Sequence, residues 1–150
     1  RIEAEERREL RPGTAEVLAE GDEVCLWTYG PIAQQALEVA QRLRRRGVAV
    51  GVVDARYAKP LDEELLARHV NRYRHLVTIE DHQRMGGFGS AVLEACSRLP
   101  GRGARVRTLG APDRFLEHMS SRAEQLAAVG LDPESIERSV AQLLGVKLVR

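Results

Sequence analysis

The stretch LVTIEDHQRMGGFGSAVLEACSRL, Leu76 to Leu99, constrains this chain more than any other. It opens with the apolar run Leu76-Val77-Thr78-Ile79, which reads as a buried strand. Glu80 and Asp81 follow, where that strand is expected to surface. The glycine cluster Gly86-Gly87-Phe88-Gly89, closed by Ser90, comes next. Beyond it Ala91, Val92, Ala95, Cys96 and Leu99 recur at helical spacing, so a helix lays one face back on the sheet. Strand, acidic loop, glycine turn and helix start, in that order, form the unit from which open α/β sheets build sites at the carboxyl ends of their strands.

Two readings of the glycine cluster stand side by side. In one, backbone N–H groups at the helix N-terminus cradle an anion, and the glycines let it approach. In the other, the glycines supply positive φ and close helix–strand packing. The phosphate motifs fail: Val92 stands where G-x-G-x-x-G needs its last glycine, and the chain holds no Gly-Lys-Ser or Gly-Lys-Thr. Glu80, His82, Gly87, Gly89 and Ser90 remain as a candidate anion or interface loop.

The rest of the chain alternates strands with helices. Residues 1–12 read as a charged linker or lead-in, and residues 13–150 as one domain, in keeping with the length. Thr14 to Ala19 reads as a short edge strand, and Val24 to Trp27 as a buried central one ending at Tyr29-Gly30. Ile32, Ala36, Leu37, Ala40 and Leu43 stripe a helix whose last turn carries arginines and which Gly47 is expected to cap. Val48 to Val53 is another strand. Asp62 is expected to N-cap the next helix, which turns Leu65, Leu66 and Val70 inward. Val106 to Leu109 makes a last strand, with Arg105 and Arg107 marking an exposed face or edge. Phe115-Leu116 is expected to dock a loop on the core. Ser121 to Glu124 reads as a capping box, Gly130 ends that helix, and Asp132-Pro133 starts the final one, striped by Ile136, Val140, Leu143 and Leu144. Such alternation predicts a three-layer αβα sandwich around a mainly parallel sheet of about five strands.

Charge is balanced, 23 basic against 22 acidic residues, so neither nucleic acid nor membrane is expected as a partner. Arg42 with Arg44-Arg45-Arg46, and Arg98, Arg102, Arg105 and Arg107, read as solvated surface. Cys25 and Cys96 sit inside apolar patterns and suit buried thiols in a reducing, cytoplasmic setting. No apolar run reaches the roughly 18 residues of a membrane span.

Groups for catalysis are few. His69 and His75 flank a helix end and read as solvent-facing or capping, and His118 lies in a loop. The four histidines lack metal-ligand spacing, and Gly89-Ser90-Ala91 is no nucleophile elbow. No catalytic, metal-binding or cofactor-binding residue is assigned. An association edge is expected where Tyr29, Met85 and Phe88 offer apolar contacts.

Ordered blocks add a family resemblance. Tyr29-Gly30, Val53-Asp54-Ala55-Arg56, Lys59-Pro60-Leu61-Asp62, Val77-Thr78-Ile79-Glu80, Gly86 to Val92 and Leu109-Gly110-Ala111-Pro112-Asp113 follow in one sequence, with His118 and Gly130-Leu131-Asp132 after them. Together they resemble the C-terminal domain of the 1-deoxy-D-xylulose-5-phosphate synthase family, in the transketolase superfamily. The Lys-Pro-Leu-Asp element alone is shared with other members, including 2-oxoacid dehydrogenase beta subunits. The glycine run followed by the spacing of Pro112, Asp113, Phe115 and His118 favours the synthase. Met119 stands where the family tends to have glycine, and Asp81-His82 replace a more usual Glu-Asn or Glu-Gly.

The resemblance implies a parent enzyme that uses thiamine diphosphate and magnesium to join a two-carbon unit from pyruvate to glyceraldehyde 3-phosphate. It implies that those cofactors are bound by domains outside these residues, that this domain is structural rather than catalytic, and that its partners are the other domains and a second subunit of a homodimer. The alternatives are the C-terminal domain of another transketolase-superfamily enzyme, and an autonomous small-anion or nucleotide binder using the Gly87–Ser90 helix start.

Overall fold

The computed structural model describes residues 10–100, 103–118 and 121–147. The lead-in expected over residues 1–12 therefore falls mostly outside the described residues, as do Arg102 and Met119.

Alternation of apolar residues along the strands builds two cores, one on each face of a single sheet. The elements run β1 (Glu16–Ala19), β2 (Val24–Tyr29), α1 (Ala33–Arg44), β3 (Val50–Asp54), α2 (Glu63–Arg72), β4 (His75–Gln83), α3 (Phe88–Arg98), β5 (Arg105–Ala111), α4 (Arg122–Ala128) and α5 (Pro133–Leu144). The sheet order is β1-β3-β2-β4-β5, parallel throughout except for β1 against β3. On β2, Val24 and Leu26 face one way and Cys25 and Trp27 the other, as the two-residue strand period requires. The first face is covered by α1 through Ala36, Val39 and Leu43 and by α5 through Ile136 and Val140. The second is covered by α2 through Leu65, Leu66 and Val70 and by α3 through Phe88, Val92 and Ala95. Each fully buried Leu, Ile or Val contributes roughly 1.5–3 kcal/mol. The result is the expected αβα sandwich.

The helix starts follow their sequence signals. Asp62 Oδ1 accepts from Leu65 N at 2.9 Å, Asp132 Oδ1 from Ser135 N at 3.1 Å, and Ser121 Oγ from Glu124 N at 3.2 Å. Asp62 does more than cap, because its Oδ2 also accepts from Ala15 N at 2.9 Å and ties the chain entering β1 to α2. At the end of α1 the cap is Arg45, and Gly47 comes two residues later with φ +79. Gly47 nonetheless closes the helix end as expected: its N donates to Arg44 O at 3.0 Å and Val48 N donates to Leu43 O at 3.0 Å, so the left-handed glycine satisfies the last carbonyls before the chain enters β3.

Five expectations are corrected. β4 does not surface at Glu80 but continues to Gln83, because β5 runs beside it as far as Ala111, and Glu80 is 1% exposed. His69 and His75 are buried at 4% and 5% exposure. Phe88 is buried as well and cannot serve as a surface contact. Phe115 and Leu116 do not dock on the core: Phe115 is fully exposed and Leu116 partly so, and their loop only borders an open cleft of about 290 Å³ shared with Gln125 and Ala128 of α4. Cys25 is buried but Cys96 only half so, and both are free thiols.

Arg105 and Arg107 lie exposed on the edge strand β5, as their alternation predicts. The Arg42–Arg46 cluster is less purely solvated. Arg42 Nη1 and Arg46 Nε stand 3.6 and 3.7 Å from the carboxylate of Glu137, which is buried between α1 and α5. Among the described residues no helix is long and apolar enough to cross a membrane.

Candidate functional site

The sheet order places a crevice at the carboxyl ends of β2 and β4. After β3 the chain crosses back over β2 to form β4, and such reversals leave the ends of neighbouring strands uncovered. An open trough of about 880 Å³ lies there. Tyr29 from β2, Glu80 and His82 from β4, Gly86 to Phe88 before and within α3, and Lys59 to Leu61 before α2 contribute to its wall. The Lys59–Pro60 peptide bond is cis.

Glu80 decides the character of this place. By strand alternation its side chain turns toward α3, where its Oε2 accepts from Phe88 N at 2.7 Å and its Oε1 from Gly89 N at 2.8 Å. The first N–H groups of a helix have no partner inside it and attract negative charge. Here a carboxylate of the chain itself fills that role, eight and nine residues ahead of the amides it binds. Three carboxylates, Glu63, Glu80 and Glu94, line the trough against two cations, Lys59 and Arg98. Arg98 Nη2 is already engaged by Glu63 Oε1 at 2.6 Å. An external phosphate would meet amides already bound and a wall of negative charge.

The glycines serve this arrangement by proximity. A Cβ on Gly89 would lie 2.7 Å from Thr78 Oγ1 and 2.8 Å from Thr108 Cγ2, so α3 rests directly on β4 and β5. A Cβ on Gly87 would run into Glu80. Gly86, with φ +72, makes the left-handed turn before the helix. Ser90 closes that turn: its Oγ accepts from Gly86 N at 3.0 Å and donates to Arg84 O at 3.3 Å.

Aromatic rings finish the edge. Phe88 stacks on Tyr29, with ring centroids 5.4 Å apart and planes 19° from parallel, and the His82 ring lies 5.8 Å from Tyr29 on a tilt. His82 is exposed and sits 3.4 Å from Asp81 Oδ1, while Asp81 pairs with Arg122 at the start of α4. The structure thus brings Glu80, Gly87, Gly89 and Ser90 into one knot and leaves His82 at its rim.

A second polar group lies under α2 and was missed by the sequence reading. His69 Nδ1 accepts from Trp27 Nε1 at 3.2 Å and stands 3.6 Å from Cys25 Sγ, with the Tyr73 ring 5.0 Å away at 70°. Accepting there requires a neutral ring with its proton on Nε2. Burial, and then the nearby Arg72 cation, hold the His69 pKa below its ordinary value. Burial also pushes the Cys25 thiol far above its own. The available signal was the spacing of Leu65, Leu66, His69 and Val70, which sets His69 on the inward stripe of α2. Among the described residues no group of His, Cys, Asp and Glu gathers as a metal site.

Residues 13–136 match the family model described as "Transketolase, C-terminal domain". Over 141 residues, 94% of this chain, the sequence is 47% identical to a 1-deoxy-D-xylulose-5-phosphate synthase of Thermus thermophilus, of which the match covers 22%. Over 138 residues, 91% of this chain, it is 43% identical to the protein of the same name from Aquifex aeolicus, again covering 22% of it. The chain thus spans about a fifth of the length of these relatives. A solved structure described as "Split gene transketolase, inactive beta4 tetramer" superposes with a TM-score of 0.82 at 34% identity, covering 94% of this chain and 45% of that one.

Proposed function

We propose that this chain, which belongs to the transketolase C-terminal domain family, is the C-terminal domain of a longer 1-deoxy-D-xylulose-5-phosphate synthase. In this reading the parent joins pyruvate-derived carbon to glyceraldehyde 3-phosphate with thiamine diphosphate and magnesium, and serves isoprenoid precursor synthesis in the cytoplasm. The domain contributes support to neighbouring domains and to a second subunit rather than chemistry. Identity to synthases along nearly the whole chain is the observation that carries the reading.

The residues of the trough do not suit a diphosphate. The amides at the start of α3 are held by Glu80, and carboxylates outnumber cations around them. This favours the structural reading of Glu80, Gly87, Gly89 and Ser90 over an anion-binding loop, and counts against an autonomous anion binder. The cofactors belong, in this proposal, to domains outside these residues.

The test compares the isolated chain with the full-length polypeptide that contains it, each given pyruvate, glyceraldehyde 3-phosphate, thiamine diphosphate and magnesium. Deoxyxylulose phosphate should form only with the full-length protein. Turnover by the isolated chain would overturn the non-catalytic reading, and an inert full-length protein would overturn the synthase reading.

A further inference from the structure

Phe115, fully in solvent, and Met85, 66% exposed, are the two most exposed large apolar side chains of the described residues, and Leu116, 38% exposed, follows Phe115 in the chain. They stand on two loops that are fastened together. Arg84 N donates to Ala111 O at 2.9 Å, and Gln83 Nε2 donates to Asp113 Oδ1 at 2.7 Å. Both loops leave the carboxyl edge of the sheet, one after β4 and the other after β5. Pinned bases below uncovered apolar tips suit an anchor awaiting a surface, since a mobile loop would lose more entropy on docking. An aromatic ring such as Phe115 buries roughly 150–250 Å² when it docks, and such rings dominate contact energies.

The route of the chain says what covers this edge. β1 is antiparallel to β3, so Glu16 pairs with Asp54 at the carboxyl end of β3. The residues just before β1 lie at the same edge, with Gly13 against Pro60 and Ala15 bonded to Asp62. The end of α5 lies at the opposite edge, where Leu144 and Val146 share a cleft with Asp22, Glu23 and Ala49. A polypeptide preceding this domain therefore arrives at the carboxyl end of the sheet, the end from which Met85 and Phe115 project, and enters it on the β1 flank across the trough from them.

We infer that the Met85–Phe115–Leu116 edge is the docking surface for the domain immediately preceding this one in the same polypeptide, which offers an apolar socket to Phe115. This rests on the reading of the chain as the C-terminal part of a longer synthase. It replaces the expected contacts Tyr29 and Phe88, of which Phe88 is buried and Tyr29 half-covered by it.

The experiment measures amide hydrogen exchange over residues 84–86 and 112–118 in the full-length protein and in the isolated chain, with thermal denaturation of Phe115→Ser in both. Exchange in both loops should be slower by about tenfold or more in the full-length protein, as burial in a domain interface requires. Phe115→Ser should leave the midpoint of the isolated chain unchanged and lower that of the full-length protein. Equal exchange in the two proteins would overturn the inference even if the variant failed to fold. Protection that grows with concentration of the isolated chain would overturn it in favour of a second copy. A native polypeptide with the mass of these 150 residues alone would instead defeat the parent reading itself.

Discussion

Glu80 and Gly89, nine residues apart, are joined inside the protein: Glu80 Oε1 accepts the Gly89 N–H at 2.8 Å. With Phe88 N on its other oxygen, a carboxylate that is 1% exposed is satisfied by the start of a helix. A buried charge is tolerable on such terms, because the amides replace its lost water and the helix dipole favours its sign.

Removing that carboxylate should be costly. Glu80→Ala leaves two amides unpaired and is expected to destabilise by about 2–4 kcal/mol, and Glu80→Gln by about 1–3, since its NH2 opposes one amide. Urea denaturation measures both. Two midpoints equal to the parent's would remove the structural role of Glu80.

Gly89 tests the close approach of α3 to the sheet. Gly89→Val should cost about 1–3 kcal/mol by overpacking against Thr78 and Thr108. Gly86→Ala has open space around it and meets only the strain of φ +72, so about 1 kcal/mol is expected. A smaller loss for Gly89→Val than for Gly86→Ala would contradict the packing geometry.

His69 predicts a pH dependence. Its folded pKa lies below its ordinary value, through burial and then Arg72, and His75 is lowered too, by burial and then Arg74. Between the folded value and the unfolded one of about 6.5, the unfolded chain binds more protons, so stability falls as pH drops below about 6.5. His69→Gln can still accept from Trp27 and should flatten this loss, leaving the share of His75. A parent whose stability is level from neutral to mildly acidic pH would refute the neutral buried ring.

The helix pair α1 and α5 is held in part by a buried acid. Replacing Arg42 and Arg46 together by alanine leaves Glu137 without its cations, at an expected cost of about 1–3 kcal/mol. The same pair of changes in Glu137→Gln should cost less, because no buried charge remains. Equal losses in the two backgrounds would show that the arginines act only through their own packing.

The sequence by itself determined the alternation of strands and helices, the αβα class, the caps at Asp62, Ser121 and Asp132, and the family. These depend on period, on turn residues and on ordered motifs, all of them local along the chain. Tertiary structure decided where Glu80 points, because a strand boundary depends on how far its neighbour β5 accompanies it. It also decided the burial of His69, which needs Trp27 from another element, and the exposure of Phe115, whose loop and α4 leave an open cleft between them rather than a packed contact. Pairing across the sheet and covering of one layer by another join residues distant in sequence, and no local pattern carries that information.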